Sequence, residues 1–483
     1  MRDATELLQP GLVIDGELID EASGGTAEHV NAATGRSQQT YPWAGAAEVD
    51  VAVRSARAAF EDWQGWHPEK RRQVLQRLAA LIRRDAEDFV VINALETGTP
   101  VAQQRPRLPN IADRFEYYAG WIDKLTGDTI PYDPKILDFT AMEPIGVVAK
   151  VLTWNTPLGG IGIGVAPALA AGCSVVIKPP ELAPFAATRF GMLCVEAGIP
   201  PGVVNVVPGG PEAGNALVAH PDVDKISFTG GPETAARIQA ASAKSLTPAL
   251  FELGGKSANI VFPDADLERA VAFASILTSI NGQGCTLPSR LLVHDAIYDE
   301  FVGRVVGHME GLIVGDPLAE ETQMGPVISQ GALDRITGMI ERAQADGAKL
   351  LTGGARLGGD LSEGYFLPMT VLGDVDPQSE IAQREVFGPV LAVTRFSSEE
   401  QAVAIANDTE YGLAAYAHTR DINRALRLTK ELVAGNIGIN GAGAPASFAA
   451  PFGGVKDSGY GREGGREGIL EFVNVKNVAI SLG

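Results

Sequence analysis

The chain has 483 residues, 45% of them hydrophobic and 20% charged, a globular composition with apolar material for a large core in two or three domains. Its formal charge is −20, from 59 acidic against 39 basic side chains, which argues against a nucleic-acid backbone or an anionic membrane as partner, since both demand positive surface. The three cysteines (Cys173, Cys194 and Cys285) are too few and too widely spaced for a disulfide framework or a zinc site, and they point to a reducing compartment, the cytoplasm.

The stretch MRDATELLQPGLVIDGEL at the start is interrupted by acids, proline and glycine and has no apolar signal-peptide core. Residues 51–63 and 70–97 carry apolar side chains at three- and four-residue spacing, with Arg, Glu and Asp on the other face, which predicts amphipathic helices. From about residue 145 the texture changes. Short β-branched runs at 147–152, 174–177, 203–207 and 225–228 alternate with helical stretches near 160–171, 183–197, 212–220 and 232–243. That alternation predicts a parallel sheet with covering helices. No charge lies between Lys150 and Lys178, but Pro157, Pro167 and several glycines break this stretch into strand, turn, helix, turn and strand rather than one membrane span.

A second α/β series begins with the strand SANIVF at 257–262. Asp264 is expected to cap the next helix, whose apolar face is Leu267, Ala270, Val271, Ala274 and Leu277. Gly282 and Gly284 end it, and Cys285 follows. The 56 glycines, about 12% of the chain against an average of roughly 7%, predict many tight turns and close backbone approaches. Beyond Gly468, LEFVNVKNVAISL is strand-like and is expected to pair elsewhere, on another subunit.

Several residues have chemistry to offer. Small neighbours in NGQGCT leave the Cys285 thiol accessible and let backbone amides point at whatever it attacks; an inert buried thiol fits the local sequence equally well. Cys173 and Cys194 lie in apolar surroundings and read as inert. Glu252 in FELGGK stands between Phe251 and Leu253, where a raised pKa suits a general base and the glycines grant mobility; a surface-turn carboxylate is the competing reading. Trp154 and Asn155 end a predicted strand, at the side where parallel sheets bind ligands, and an Asn amide stabilises an oxyanion without titrating. Lys178 and Glu181 close the next strand and suit the hydroxyls of a ribose, or form a solvated pair in a proline turn. In SFTGGPETA the glycines let a diphosphate approach a helix N-terminus, although the spacing is not GxGxxG. The GIGIG run at 160–164 reads as close packing. The histidines neither cluster nor approach a cysteine, and no metal site is expected.

In order along the chain stand TWNTP (153–157), KPPE (178–181), FTGG (228–231), FELGGK (251–256), GQGC (282–285), EVFGPV (385–390) and PFGGVKDSGYGRE (451–463), with weaker echoes in ETGTP (96–100), MGPVIS (324–329) and NDTEYGL (407–413). This series resembles the NAD(P)-dependent aldehyde dehydrogenase superfamily nearly end to end. The resemblance implies Cys285 as nucleophile, Glu252 as general base and Asn155 as oxyanion-binding amide. It implies NAD as cofactor, with NADP weaker. Lys178 and Glu181 would hold the adenine ribose and Trp154 would line the cleft. Thr229, Gly230 and Gly231 would lie beside the diphosphate and nicotinamide. Glu385 would hold the nicotinamide ribose, with Phe387 nearby. Two departures stand out: glycine replaces the family's common serine at Gly231, and Thr153 and Thr156 replace a proline and an aromatic.

The implied fold is α/β: a Rossmann-like parallel-sheet cofactor domain (1–125 and 145–253), a second α/β catalytic domain (254–457), and a β oligomerisation arm with tail (126–144 and 458–483). Homo-oligomers, dimers or tetramers, are expected. A CoA-acylating relative would lack the glutamate base, and Glu252 argues against it. Retention of Cys285, Glu252 and Asn155 argues against a non-catalytic, crystallin-like role, and the cofactor motifs argue against a cofactor-free hydrolase. The family's tunnel positions fall on Thr156, Gly160, Ile163, Gly164, Ser279, Gly284, Thr286 and the loop 441–450. That set is small and apolar, without a cation for a carboxylate or an aromatic box for a quaternary ammonium, so the expected substrate is a bulky neutral aldehyde, aromatic or terpenoid-like.

Overall fold

The computed structural model describes residues 4–443, 445 and 447–483. Two sheets organise them. The first has eight strands in the spatial order Glu17–Ile19, Leu12–Ile14, Val204–Val206, Ser174–Lys178, Val147–Val151, Lys225–Thr229, Ala249–Glu252 and Gly459–Tyr460. Its five inner strands are parallel, and antiparallel strands finish both edges. After the edge strands Leu12–Ile14 and Glu17–Ile19, the parallel part starts in the middle at Val147–Val151, winds outward to Ser174–Lys178 and Val204–Val206, then returns to Lys225–Thr229 on the other side. The strand order reverses between Val147–Val151 and Lys225–Thr229, which opens a crevice at the carboxyl ends.

β-branched residues at 147–151 and 174–178 are buried on both faces, as a sheet covered by helices requires. Val148, Val175 and Ile177 face one core with Phe115 and Phe190, while Val147, Ala149 and Val176 face the other with Val49, Val53 and Ile226. The uncharged stretch between the two strands folds as Pro157–Gly160, the π-helical Ile161–Val165 and Ala166–Ala171, so both prolines sit near helix starts. No helix among the described residues is long and apolar enough to cross a membrane.

The second sheet has seven strands, Lys349–Thr352, Thr370–Gly373, Val390–Phe396, Arg290–His294, Ala258–Val261, Ala414–His418 and Asn436–Ile439, all parallel except the first. Residues 253–257 carry the chain directly from Glu252, at the end of one sheet, to Ala258, at the start of the other.

Four local expectations change. The helical stretch 70–97 is two helices, Pro68–Arg84 and Ala86–Thr97, broken at Asp85, whose carboxylate is taken by Arg84 and Arg189. Asp266, not Asp264, caps the helix Leu267–Ala274, accepting from the Arg269 backbone N–H; Asp264 instead accepts from Thr419 Oγ1 and the N–H groups of Arg420 and Asp421. The tail strand Val473–Ser481 pairs within its own chain, antiparallel to Ile136–Pro144, in a separate two-stranded ribbon. Residues 459–460, grouped with the tail in the sequence reading, extend the first sheet beside Ala249–Glu252.

Candidate active site

Four strand ends of the first sheet converge. Lys178 and Phe228 both stand opposite Val151 in the register, and Thr229 stands opposite Glu252. A cleft of about 510 Å³ opens above them. Trp154, Asn155, Lys178 and Glu181 line it from the first two strands, and Thr229, Gly230, Gly231 and Glu252 from the next two. The second sheet closes it with Cys285, which leads into the strand Arg290–His294, and with Glu385 and Phe387, which precede Val390–Phe396. Every catalytic and cofactor-binding residue expected from the sequence therefore borders one cavity, while the expected tunnel positions such as Thr156, Ile163 and Ser279 are not part of its lining.

Its two ends differ. At one end the Lys178 Nζ pairs with Glu181 Oε1 at 2.7 Å; the lysine is buried and the glutamate half-exposed. Burial lowers the Lys178 pKa and the Glu181 charge offsets this. Tyr41 donates its hydroxyl to the Glu181 carbonyl at 2.8 Å, holding that turn. Gly231 caps the eleven-residue helix Pro232–Ser242, with Gly230 before it, and a side chain at Gly231 would meet open space. Arg237, one further cation on that helix, also faces the cleft; its spacing from the glycines was no signal in the sequence. Exposed helix-terminal amides, two glycines and nearby cations suit a phosphate-bearing ligand, and the Glu181 carboxylate suits hydroxyls beside it.

At the other end stand Cys285, Glu252 and Asn155. Glu252 ends a buried strand and is itself 2% exposed, which settles the surface-turn alternative. The glycines after it serve close approach rather than mobility: a Cβ at Gly254 would collide with the Glu385 carboxylate, and one at Gly255 with the Cys285 carbonyl. The Cys285 and Glu252 side chains border the same cleft, and each feels the other's electrostatic influence. Burial, then the neighbouring Glu252 and Glu385 charges, push the thiol pKa well up. Burial and the Glu463 charge raise the Glu252 pKa well above the carboxylate range, against the pull of Lys150. A partly exposed thiol thus shares the cleft with a buried carboxyl, whose carboxylate form is a natural acceptor for the thiol proton. By contrast Cys173 and Cys194 are enclosed in the apolar core, with the Cys173 pKa pushed up to about 12 by burial.

Asn155 Nδ2 donates to the Gln283 carbonyl at 2.8 Å, and its Oδ1 has no partner among the described residues. Glu385 accepts from the Gly255 N–H at 3.0 Å and burial raises its pKa to about 7. Phe387, at φ +49°, meets Trp154 edge to face at 5.3 Å.

Sequence reasoning missed what holds the cysteine loop. Ile280 and Asn281 adopt left-handed backbone, and Gly282 follows at φ +75°, where a Cβ would strike Gly388. The buried Asn281 amide donates to the carbonyls of Gly98 and Pro326, both at 2.9 Å, and accepts from the Gly325 N–H at 2.7 Å. Gln283 accepts from the Ile328 N–H at 2.9 Å. The partners come from ETGTP and MGPVIS, so those weaker motifs are the frame of the loop. Behind Glu252, Lys150 Nζ lies 3.1 Å from Glu463 Oε1 and 3.0 Å from Ser227 Oγ. The GIGIG run is close packing, as expected, and Gly164 leaves room for the Lys150 chain.

The Arg114 guanidinium lies 4.9 Å from the ring centre of Phe448, within the loop 441–450, and its Cδ packs against Gly162. Ala444 and Ala446 of that loop lie outside the described residues. Among the described residues no group of His, Cys, Asp and Glu is arranged to hold a metal.

Residues 18–478 match the aldehyde dehydrogenase family. An aldehyde dehydrogenase of Emericella nidulans is 40% identical over 477 residues, covering 98% of this chain and 95% of that protein. A chloroplastic betaine aldehyde dehydrogenase of Beta vulgaris is 38% identical over 481 residues, 97% of this chain and 95% of that one. The crystal structure of betaine aldehyde dehydrogenase from Staphylococcus aureus in complex with NAD+ superposes with a TM-score of 0.96 at 35% identity, covering 99% of this chain and 97% of that one.

Proposed function

The chain belongs to the aldehyde dehydrogenase family, and from that premise we propose that it oxidises an aldehyde to the carboxylic acid with Cys285 as covalent nucleophile and NAD as the preferred hydride acceptor. The observation that carries this reading is the shared cleft: a cysteine, a buried glutamate and an amide with a free edge at one end, and a glycine-and-cation cradle at the other. A dinucleotide fits that donor set, with Lys178 and Glu181 on the adenine ribose, Gly230 and Gly231 beside the diphosphate, Thr229 near the nicotinamide, Glu385 on the second ribose, and Trp154 and Phe387 walling the cleft.

In the first step Glu252 takes the Cys285 proton and the sulfur attacks the aldehyde carbon. Asn155 Nδ2 and the Cys285 backbone N–H then hold the new oxyanion, forming a thiohemiacetal. A bare aldehyde is a poor hydride donor, whereas this tetrahedral alkoxide expels hydride readily. The bound nicotinamide supplies the acceptor for that hydride. What stays on Cys285 is a thioester. Once Glu252 has passed its first proton to solvent, it removes a proton from water, which attacks the thioester carbonyl and releases the acid and the thiolate.

We further assign residues 1–125 and 145–253 to cofactor binding and 254–457 to catalysis. The ribbon of Ile136–Pro144 and Val473–Ser481, which leaves Ile136, Leu137, Val475 and Ile480 exposed, supports a homo-oligomer, dimer or tetramer. Three free cysteines support a reducing, cytoplasmic location. The small side chains Thr156, Ser279 and Thr286 at the expected tunnel positions support a bulky substrate, aromatic or terpenoid-like in size. The test is NADH absorbance with purified protein and a panel of aldehydes, comparing kcat/KM. No NADH from any aldehyde, with either nicotinamide cofactor, would reject the reading.

A further inference from the structure

The side-chain ties of the cysteine loop lie ahead of the nucleophile: Asn281 bonds Gly98, Gly325 and Pro326, Gln283 bonds Ile328, and Asn155 bonds the Gln283 carbonyl. Behind Gln283 the chain turns at once. Cys285 and Thr286 are the central residues of a turn closed from the Leu287 N–H to the Gly284 carbonyl at 3.3 Å. That is longer than the usual amide hydrogen bond of about 2.9–3.0 Å, so the closure is weak. Tyr416 supplies a second tie, donating its hydroxyl to the Thr286 carbonyl at 3.0 Å. Among the described residues this is the only hydrogen bond that a side chain outside the turn makes to the backbone of residues 284–289.

The tyrosine is built into the second sheet, not into the loop. It stands in the strand Ala414–His418, beside Asn259 of Ala258–Val261 on one side and Gly438 of Asn436–Ile439 on the other. The ring is buried and meets Phe273 of the helix Leu267–Ala274 at 4.9 Å. A Cβ at Gly438 would lie 2.8 Å from the Tyr416 Cδ1, so the ring uses the space that glycine leaves. A ring held by a strand, a helix and a missing Cβ has one place to put its hydroxyl. Burial, then the Cys285 charge, raise the Tyr416 pKa, so the hydroxyl keeps its proton and stays a donor through neutral and alkaline pH.

Fixing the Thr286 carbonyl fixes the planar peptide that follows it, and with it the backbone angles within the turn. Those angles decide where the Cys285 and Thr286 amides lie. Burial and the Glu252 and Glu385 charges raise the Cys285 pKa, and these two amides pull it back. The Cys285 N–H is also an oxyanion donor in the reading above.

We propose that Tyr416 is a positioning residue for the nucleophile: its hydroxyl sets the turn whose amides favour the Cys285 thiolate and hold the oxyanion. This rests on the dehydrogenase reading above and gives that reaction a determinant from the middle of the second sheet, outside the cleft lining.

Tyr416→Phe removes the hydroxyl and keeps the ring. The rate of Cys285 alkylation by iodoacetamide, followed by mass spectrometry over roughly pH 6–10, should shift to higher pH than in the parent, because the thiolate loses amide support. Single turnover, with enzyme in excess over the aldehyde of highest kcat/KM and NAD saturating, should be slower by roughly five- to tenfold, the worth of about one hydrogen bond. KM for NAD and for the aldehyde should stay within about threefold of the parent, since the hydroxyl touches neither. A merely structural tyrosine would instead lower Tm and the number of Cys285 thiols labelled, leaving the rate per labelled thiol and the pH profile unchanged; that result overturns the proposal. Tyr416→His, which keeps a ring donor of shorter reach, covers the case in which Tyr416→Phe does not fold, and it should move both readouts in the same direction. A folded variant with the parental single-turnover rate and the parental alkylation profile also overturns the proposal and leaves the dehydrogenase reading intact. A parent that makes no NADH from any aldehyde counts against the dehydrogenase reading, and the alkylation profile, which needs no aldehyde, then decides the role of Tyr416 alone.

Discussion

The Asn155 side-chain amide donates to the Gln283 carbonyl at 2.8 Å, tying a strand end of the first sheet to the loop that carries Cys285, 128 residues later. One amide hydrogen is engaged in that tie and the other is left for a ligand oxygen. Asn155→Ala should remove both the tether and an oxyanion donor. Steady-state kinetics should show kcat lower by roughly 100- to 1,000-fold. A variant within threefold of the parent would mean that the Cys285 backbone amide suffices.

Cys285→Ala should abolish NADH formation while leaving cofactor binding, read by fluorescence titration, in place. Cys173→Ala and Cys194→Ala should remain active after correction for stability, because both thiols sit in the core away from the cleft. Iodoacetamide labelling followed by mass spectrometry should find Cys285 first. Substantial turnover in the Cys285 variant would sink covalent catalysis.

Glu252→Gln keeps shape and burial but cannot accept a proton. One equivalent of NADH should appear as a burst, followed by a slow steady state, and mass spectrometry should find the acyl adduct. The pH dependence has a definite sign. Because the Glu252 pKa is raised by burial, the carboxylate form grows as pH climbs, so deacylation in the parent should speed up with pH. In Glu252→Gln that rising limb should flatten. Undiminished turnover with neither burst nor adduct would reject Glu252 as the base.

The Lys178–Glu181 pair is expected to set the choice between cofactors. A carboxylate there accepts from ribose hydroxyls and repels a 2′-phosphate by ~1–3 kcal/mol, roughly 5- to 150-fold, reduced by the lysine 2.7 Å away. Glu181→Ser should raise kcat/KM with NADP and lower it with NAD. A parent that already favours NADP would show that Glu181 is not the discriminator.

Much of this site was legible in the sequence because its residues sit at strand ends. The β-branched runs at 147–152, 174–177 and 225–228 placed Asn155, Lys178 and Thr229 beyond carboxyl termini, and strand periodicity with a terminal turn is encoded locally. Cys285 was legible as a small-residue loop after a helix, though its equal standing as an inert thiol was removed only by its motif neighbours. What the local pattern could not carry was apposition. Asn281 is held by Gly98, 183 residues away, and Lys150 meets Glu463 across 313. Neither contact leaves a mark on the residues flanking it. The same holds for Arg114, which in sequence is one cation on an amphipathic helix with acids nearby. Only packing against Gly162 and Phe448 turns it inward, away from the acids that Arg83 occupies. Periodicity tells which face of an element is apolar. Which distant segment covers that face, and hence which side chains meet there, is decided by how the two sheets close on each other.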